Sequence, residues 1–118
     1  MEKVRDITVY KHYFYDFFDE LTVKVQSKID HVLYVVTVSK IIPVKFFKHV
    51  EGTDGLFEIR VEYEGNIYRI FCCFDEEKLI VLFNGFQKKT QKIPQNVIEK
   101  ALMIKEQYFK SKKKNGKK

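Results

Sequence analysis

The chain has 118 residues, which is enough for one domain with its own hydrophobic core and too few for two ordinary ones. Hydrophobic residues make up 45% of it and aromatic residues 15%, a globular composition that excludes an intrinsically disordered protein. Its two cysteines, Cys72 and Cys73, are neighbours, which excludes a disulfide scaffold and a zinc site built from cysteines.

The positive charge is concentrated at the C-terminus. The chain has 22 Lys+Arg and 16 Asp+Glu, a net charge of +6, but residues 110–118 contain six lysines and no acid. Residues 1–109 are therefore neutral overall, and we expect them to form the single domain. We expect the basic segment 110–118 to be a disordered terminus, with a nucleic-acid-binding arm as the alternative.

Neither a secretion signal nor a membrane span is visible. The N-terminus carries charges where a signal peptide needs apolar residues. The most apolar stretch, residues 32–44, is interrupted by Lys40 and Pro43 and is shorter than the roughly 20 residues that span a membrane. We therefore expect a soluble, cytoplasmic protein.

In the first half of the chain, the spacing of apolar residues predicts one strand and two helices. Residues 3–10 are typical of a short strand. Residues 13–25 place aromatic and aliphatic side chains at steps near three and four, the pattern of a helix with one apolar face. Residues 29–36 keep that spacing and are also rich in β-branched residues. We interpret them as a second helix, which ends before Pro43.

In the second half, the apolar period changes to two. Residues 57–63 alternate in this way and are typical of a half-buried strand. Residues 67–74 are apolar on both faces except at Arg69, which predicts a central strand, and residues 79–83 are a third apolar run. Turns join the three, and Pro94 begins a last helix. This order predicts an α+β domain with an N-terminal strand, two helices, an antiparallel three-strand meander and a C-terminal helix.

The turn between the first two meander strands decides where Arg60 and Arg69 lie. A two-residue turn at residues 64–65 places Arg60 directly opposite Arg69, whereas a turn at residues 65–66 places Arg69 opposite Glu62. In both cases the two arginines share one face of the sheet. A three-residue loop with a glycine bulge would place them on opposite faces.

The next turn assigns the remaining side chains to faces. If residues 75–78 form that turn, Arg69 pairs with Asn84. One face is then apolar, and we expect the two N-terminal helices to cover it; the other face is polar and leads into Lys88 and Lys89. The apolar face comprises Phe57, Ile59, Val61, Tyr63, Tyr68, Ile70, Cys72, Phe74, Leu79, Val81 and Phe83. The polar face comprises Glu58, Arg60, Glu62, Arg69, Asn84 and Phe86.

The polar face has two interpretations. Glu58 and Glu62 can neutralise the arginines in a surface salt ladder, which contributes about 0–1 kcal/mol per pair. Alternatively, the arginines hold a phosphate and Phe86 stacks on a base, an arrangement that suits a single strand of nucleic acid.

Other candidate sites are weaker. His12, His31 and His49 are scattered, without a second ligand at metal spacing, so we expect no metal and no cofactor. We expect Cys72 to face the core and Cys73 the other side, and neither has a neighbouring histidine to make it a nucleophile.

Three segments carry a family resemblance: DGLFEIR at residues 54–60, NIYRIF at residues 66–71 and NGFQKKTQKIP at residues 84–94. Together they resemble the phage-derived Gp49-like, HigB-type branch of the RelE/ParE toxin superfamily. The resemblance covers residues 46–109, and the N-terminal part agrees in its order of elements.

The resemblance implies a RelE-like fold and a toxin of a type II toxin–antitoxin system. It also implies the usual activity of such toxins, that of an mRNA interferase, a ribosome-dependent endoribonuclease that inhibits translation, and their usual partner, a HigA-like helix-turn-helix antitoxin that neutralises them. By matching motifs, the resemblance implies catalytic roles for Arg60, Arg69, Lys88 and Lys89.

The chemistry of RNA cleavage suits these residue types. Arginines can hold the phosphate with forked donors, and a lysine can stabilise developing charge or give a proton to the leaving oxygen. Glu58 is a candidate base, or it orients Arg60. We expect RNA contacts from Phe86, Asn84, Thr90 and Lys92. Without a histidine pair as acid and base, the set fits an enzyme that needs the ribosome to position its substrate.

Two other functions stay open at this point. The same superfamily includes ParE-like toxins that bind DNA gyrase without cleaving anything. A non-catalytic nucleic-acid-binding module is the third possibility.

Overall fold

Strands and helices follow one another in the predicted order, with one additional short strand before the meander. The computed structural model describes residues 1–88 and 92–116, with the backbone alone at residues 88, 115 and 116. The elements are β1 (Asp6–Val9), α1 (Tyr13–Phe18), α2 (Val23–Val38), a 3-10 turn (Val44–Phe46), β2 (Phe47–His49), β3 (Phe57–Tyr63), β4 (Asn66–Asp75), β5 (Leu79–Lys88) and α3 (Gln95–Gly116).

One mixed sheet organises the domain. Its strand order is β1-β5-β4-β3-β2, with β1 parallel to β5 and the other neighbours antiparallel. The α+β class and the meander, now β3 to β5, are confirmed, and the architecture is compatible with a RelE-like fold. Strand β2 was not predicted, because three residues are too few to establish a period of two.

The first helical segment is two helices rather than one. We predicted a single helix over residues 13–25, but α1 ends at Phe18 and α2 begins at Val23. Thr22 causes the restart, because its side-chain oxygen accepts a hydrogen bond from the Val25 amide at 3.3 Å and caps α2. The ambiguous residues 29–36 lie within α2, so their interpretation as helix is confirmed.

The sheet has a hydrophobic core on each face. Helices α1 and α2 cover one face, where Ile29, Val32 and Ile59 are fully buried. Helix α3 covers the other face with Ala101 and Ile104. Cys72 lies in the first core and Cys73 in the second, as predicted from strand alternation.

The predicted register of β5 is wrong. The turn after β4 has three residues, since Asp75 pairs with Leu79 and Glu76 adopts a left-handed conformation with φ 64°. Leu79, Val81 and Phe83 therefore lie under α3, while Ile80 and Leu82 join the first core.

A bulge then changes the pairing again. Ile70 pairs with Gly85 but Cys72 pairs with Leu82, so β5 contains one extra residue opposite Phe71. As a result Arg69 pairs with Phe86, and the predicted pair of Arg69 with Asn84 is wrong. The bulge also restores the predicted polar face at the far end of the strand.

Helix α3 runs to Gly116 and so includes most of the segment predicted to be a basic tail. Lys112 in this segment is anchored to the sheet by an ion pair with Asp75, with 2.6 Å between Nζ and Oδ1. The domain boundary at residue 109 stays a prediction. Within the described ranges, no helix has the length and apolarity to cross a membrane.

Candidate functional site

The hairpin between β3 and β4 brings two arginines together. Glu64 (φ 49°) and Gly65 (φ 81°) both adopt left-handed conformations and form the two-residue turn. This is the turn geometry that matches the twist of paired strands. Arg60 therefore lies directly opposite Arg69, which is the first of the three registers considered from the sequence. The two guanidinium groups start from the same face of the sheet, the face that carries α3.

Arg69 is a buried cation with a buried partner. Its residue is 6% exposed, and its Nη1 donates a hydrogen bond to Oε2 of Glu58, which is 2% exposed. A charge removed from water in this way needs a paired, hydrogen-bonded counter-charge. Glu58 supplies it, and so fixes the direction of the Arg69 side chain rather than that of Arg60, which we predicted as its partner.

Arg60 is paired differently and is open to solvent. Its Nη2 lies 2.8 Å from Oε1 of Glu62, and its side chain is 36% exposed. Each arginine thus has one carboxylate partner, as the salt-ladder interpretation predicts. A guanidinium has five N–H donors, however, and Nε of both Arg60 and Arg69 is buried without a hydrogen-bond partner in residues 1–88 and 92–116.

A cleft of about 230 Å³ reaches Arg69 from the surface. Lys48 from β2 and Lys92 from the segment before α3 are exposed cations that line this cleft together with Arg69. Glu51 and Glu58 contribute its carboxylates. Three cations against two acids, one of which is already bound to Arg69, leave the cleft electropositive. The apolar part of its wall consists of Val50, Ile93 and Ile98.

Phe86 and Asn84 lie beside the arginines but are largely committed to packing. Phe86 is opposite Arg69, half-buried against the second core. Asn84 is 5% exposed, and its Nδ2 donates a long hydrogen bond of 3.5 Å to the Val97 carbonyl of α3. Its Oδ1 is buried without a hydrogen-bond partner in residues 1–88 and 92–116, and an RNA contact from Asn84 stays a prediction. Phe86 keeps a partly exposed ring.

Comparison with known proteins decides the family. The family described as Phage derived protein Gp49-like (DUF891) matches residues 16–106, which include α2 and all of β2 to β5. The chain belongs to this Gp49-like family. Members of the Gp49-like family are RelE/HigB-type toxins associated with toxin–antitoxin systems, so an antitoxin partner is implied. No curated protein matches the chain.

The matched region of the Gp49-like family contains the predicted basic exit from β5. The backbone of Lys88 ends β5, opposite Ile67. Lys89 and Thr90, which we predicted as catalytic and RNA-binding, lie outside the described residues. Lys92 lies on the wall of the cleft that Arg69 also lines.

Thiol and metal chemistry find no support in the described residues. Burial raises the pKa of Cys72 well above its ordinary value and that of Cys73 to about 11, so both thiols are protonated at neutral pH. Within residues 1–88 and 92–116, no group of three or more His, Cys, Asp and Glu side chains is placed to hold a metal ion.

Lys48 is the residue of this Gp49-like site that the sequence did not reveal. It lies in β2, opposite Glu58 on β3. A single lysine in a three-residue strand has no motif around it, and its place became visible only when β2 paired with β3. The alternation of Phe47 and His49 about Lys48 is the one signal that could have indicated it, and it is too short to distinguish a strand from a loop.

Proposed function

We propose that this Gp49-like toxin is an mRNA interferase, a ribosome-dependent endoribonuclease that inhibits translation and is neutralised by a HigA-like helix-turn-helix antitoxin. The observation that supports this most is the opposed pair Arg60 and Arg69 on one sheet face, with Arg69 at the floor of an electropositive cleft.

The proposed reaction is an internal attack within the RNA. The 2′-oxygen attacks the adjacent phosphorus and forms a 2′,3′-cyclic phosphate while the bond to the 5′-oxygen breaks. A base accepts the 2′-hydroxyl proton, and an acid gives a proton to the leaving 5′-oxygen. Arg69, held in place by Glu58, and Arg60, open to solvent, are the groups that would bind the phosphate oxygens as negative charge builds up on them.

The remaining roles follow from the chemistry of the side chains. Glu58 acts by orienting Arg69, since its carboxylate is buried and already accepts a hydrogen bond from that residue. Phe86 offers a partly exposed ring on which a nucleobase can stack, and Lys92 contacts the phosphate backbone of the RNA. The roles of Lys88 and Lys89 in charge stabilisation and proton donation stay predictions.

Ribosome dependence is proposed from what this set of side chains lacks. Histidine is the commonest general acid and base at neutral pH. The histidine His49 lies at the end of β2, where its Nε2 is 2.8 Å from the Thr53 carbonyl oxygen. An arginine and lysine cradle orients and neutralises a phosphate but is a poor base. A substrate already bent by the ribosome would need less help from the protein.

Primer extension on messenger RNA in a translation extract tests the proposal. Wild-type protein is expected to produce cuts that vanish when ribosomes are removed. Arg60→Gln is expected to lower cutting by about 100-fold, as loss of one charge-stabilising donor does, and to leave the fold intact because Arg60 is partly exposed. Lys24→Gln, an exposed lysine on α2 behind the opposite sheet face, is the charge-matched control.

Arg69→Ala is the second variant. Its folding is measured alongside its RNA cutting, because the substitution leaves Glu58 buried without a partner. Folded Arg69→Ala and Arg60→Gln proteins that both cut like the wild type would remove the assignment. Loss of DNA supercoiling with translation intact would point to a ParE-like action on gyrase.

A further inference from the structure

Three charged residues form a row across the sheet at the cleft. Lys48 on β2 lies directly opposite Glu58 on β3, whose register partner on β4 is Phe71. Arg69 lies two residues further along β4, and its guanidinium reaches diagonally to the Glu58 carboxylate. The buried carboxylate therefore lies between two cations on different strands. The row is open on the α3 face, where the cleft begins.

The Lys48 ammonium has no ion-pair partner among the described residues. Glu58 is committed to Arg69, and within residues 1–88 and 92–116 no carboxylate lies within 4.0 Å of the Lys48 ammonium. Lysines on edge strands often serve only to prevent edge-to-edge pairing. Lys48 differs because it lines the same cleft as buried Arg69 and as Lys92.

The spacing of this row favours two anions rather than one. Adjacent strands are about 4.8 Å apart, so the strands of Lys48 and Arg69 are about 10 Å apart. Arg69 is also displaced by two residues along β4 from the position in line with Lys48, which separates the two backbone positions further. The negative Glu58 between them opposes a single anion centred on the row. Two negative groups joined in one chain can reach both cations while they stay clear of the carboxylate. Successive phosphates of a single nucleic-acid strand have this chemistry, and the apolar wall at Val50 and Ile93 gives their sugars a surface to lie on.

On the basis of the proposed function, we infer that Lys48 is a phosphate-binding residue for the RNA strand. It binds the phosphate that flanks the one held by Arg69, and so extends the site along the strand beyond the reacting bond. Its role is to position the substrate, since the ammonium group does not touch the reacting phosphate.

Binding of an uncleavable RNA at several salt concentrations tests this inference. The probe is a fluorescent ten-nucleotide 2′-O-methyl RNA, which lacks the attacking hydroxyl, titrated with the full-length protein between 50 and 200 mM NaCl. Each phosphate contact on a single strand contributes about 0.7 to the slope of log affinity against log salt. Lys48→Gln is therefore expected to reduce that slope by about 0.7 and to weaken binding about threefold to tenfold at the lowest salt.

Lys24→Gln is the matched control, because it removes the same charge from an exposed position behind the other sheet face. It is expected to bind with the wild-type slope, and both variants are expected to keep the wild-type thermal midpoint. The inference is overturned if the wild type does not bind the probe, or if Lys48→Gln has the wild-type slope. The proposed function is judged separately, by whether the wild type cuts translated messenger RNA.

Discussion

The carboxylate of Glu58 and the guanidinium of Arg69 form an ion pair that is almost completely removed from solvent, on two neighbouring strands of the sheet. The pair lies at the floor of the cleft, so the same contact contributes to the fold and sets the direction of a proposed phosphate-binding group. A buried pair of this kind contributes little net stability compared with apolar residues, but removing one partner is costly.

Glu58→Gln is expected to lower the free energy of unfolding by about 3 kcal/mol, because it leaves the Arg69 charge buried without a counter-charge. Urea denaturation at neutral pH measures this change. RNA cutting is expected to fall as well, since Arg69 loses the group that holds its direction.

The double variant Glu58→Leu/Arg69→Met separates the two effects. It replaces the pair with apolar side chains and is expected to be more stable than Glu58→Gln while still failing to cut RNA. A Glu58→Gln protein as stable as the wild type would show that the pair is not buried in solution.

Asp75 makes stability depend on pH in the acid range. Burial alone would raise its pKa, but hydrogen bonds from Lys112 (2.6 Å) and Tyr108 (2.5 Å) outweigh burial and hold the pKa of Asp75 below its ordinary value of 3.8. As the pH falls, the unfolded carboxyl therefore takes up its proton before the folded one does. This contribution to stability is complete above about pH 5 and is lost progressively as the pH falls through 3.8 and then through the folded pKa.

Asp75→Asn is expected to be less stable than the wild type at pH 7 and to lose less stability between pH 5 and pH 2. Chemical denaturation at a series of pH values measures both effects. Glu77→Gln removes an exposed carboxylate from the adjoining turn and is expected to keep the acid loss of the wild type. Equal acid losses in Asp75→Asn and in the wild type would contradict the assignment to Asp75.

Gly85 is required because of space. Its backbone is not left-handed, but a methyl group at this position would overlap the ring of Phe17 from α1. Gly85→Ala is therefore expected to lower the free energy of unfolding by about 1–3 kcal/mol, the usual cost of overpacking a core.

Thermal denaturation of a double-mutant cycle checks the reason for that cost. In a Phe17→Ala background the clash partner is gone, so Gly85→Ala is expected to cost less than in the wild type. An equal cost in both backgrounds would mean that Phe17 is not the cause.

Local patterns predicted most of the elements and the location of the arginine pair. Apolar period two indicated β3, and continuous apolar runs bounded by turns indicated β4 and β5. The Glu64-Gly65 turn was one of three alternatives for the hairpin. These features depend on residues close together in the chain, so the sequence contains what is needed to recognise them. The apolar spacing runs through Thr22 without a break, but its capping side chain divides the one predicted helix into two.

The sequence by itself determined the α+β class, the neutral body with its basic C-terminal segment, and the strands that carry Arg60 and Arg69. Only the tertiary structure decided the three-residue turn before β5 and the bulge in β5. It also decided the burial of Arg69 against Glu58 and the position of Lys48 in the cleft that Arg69 lines. The reason is physical. Side-chain periodicity is a local property of the backbone. Burial, ion pairing and the strand with which the three-residue edge strand β2 pairs depend instead on how distant segments pack.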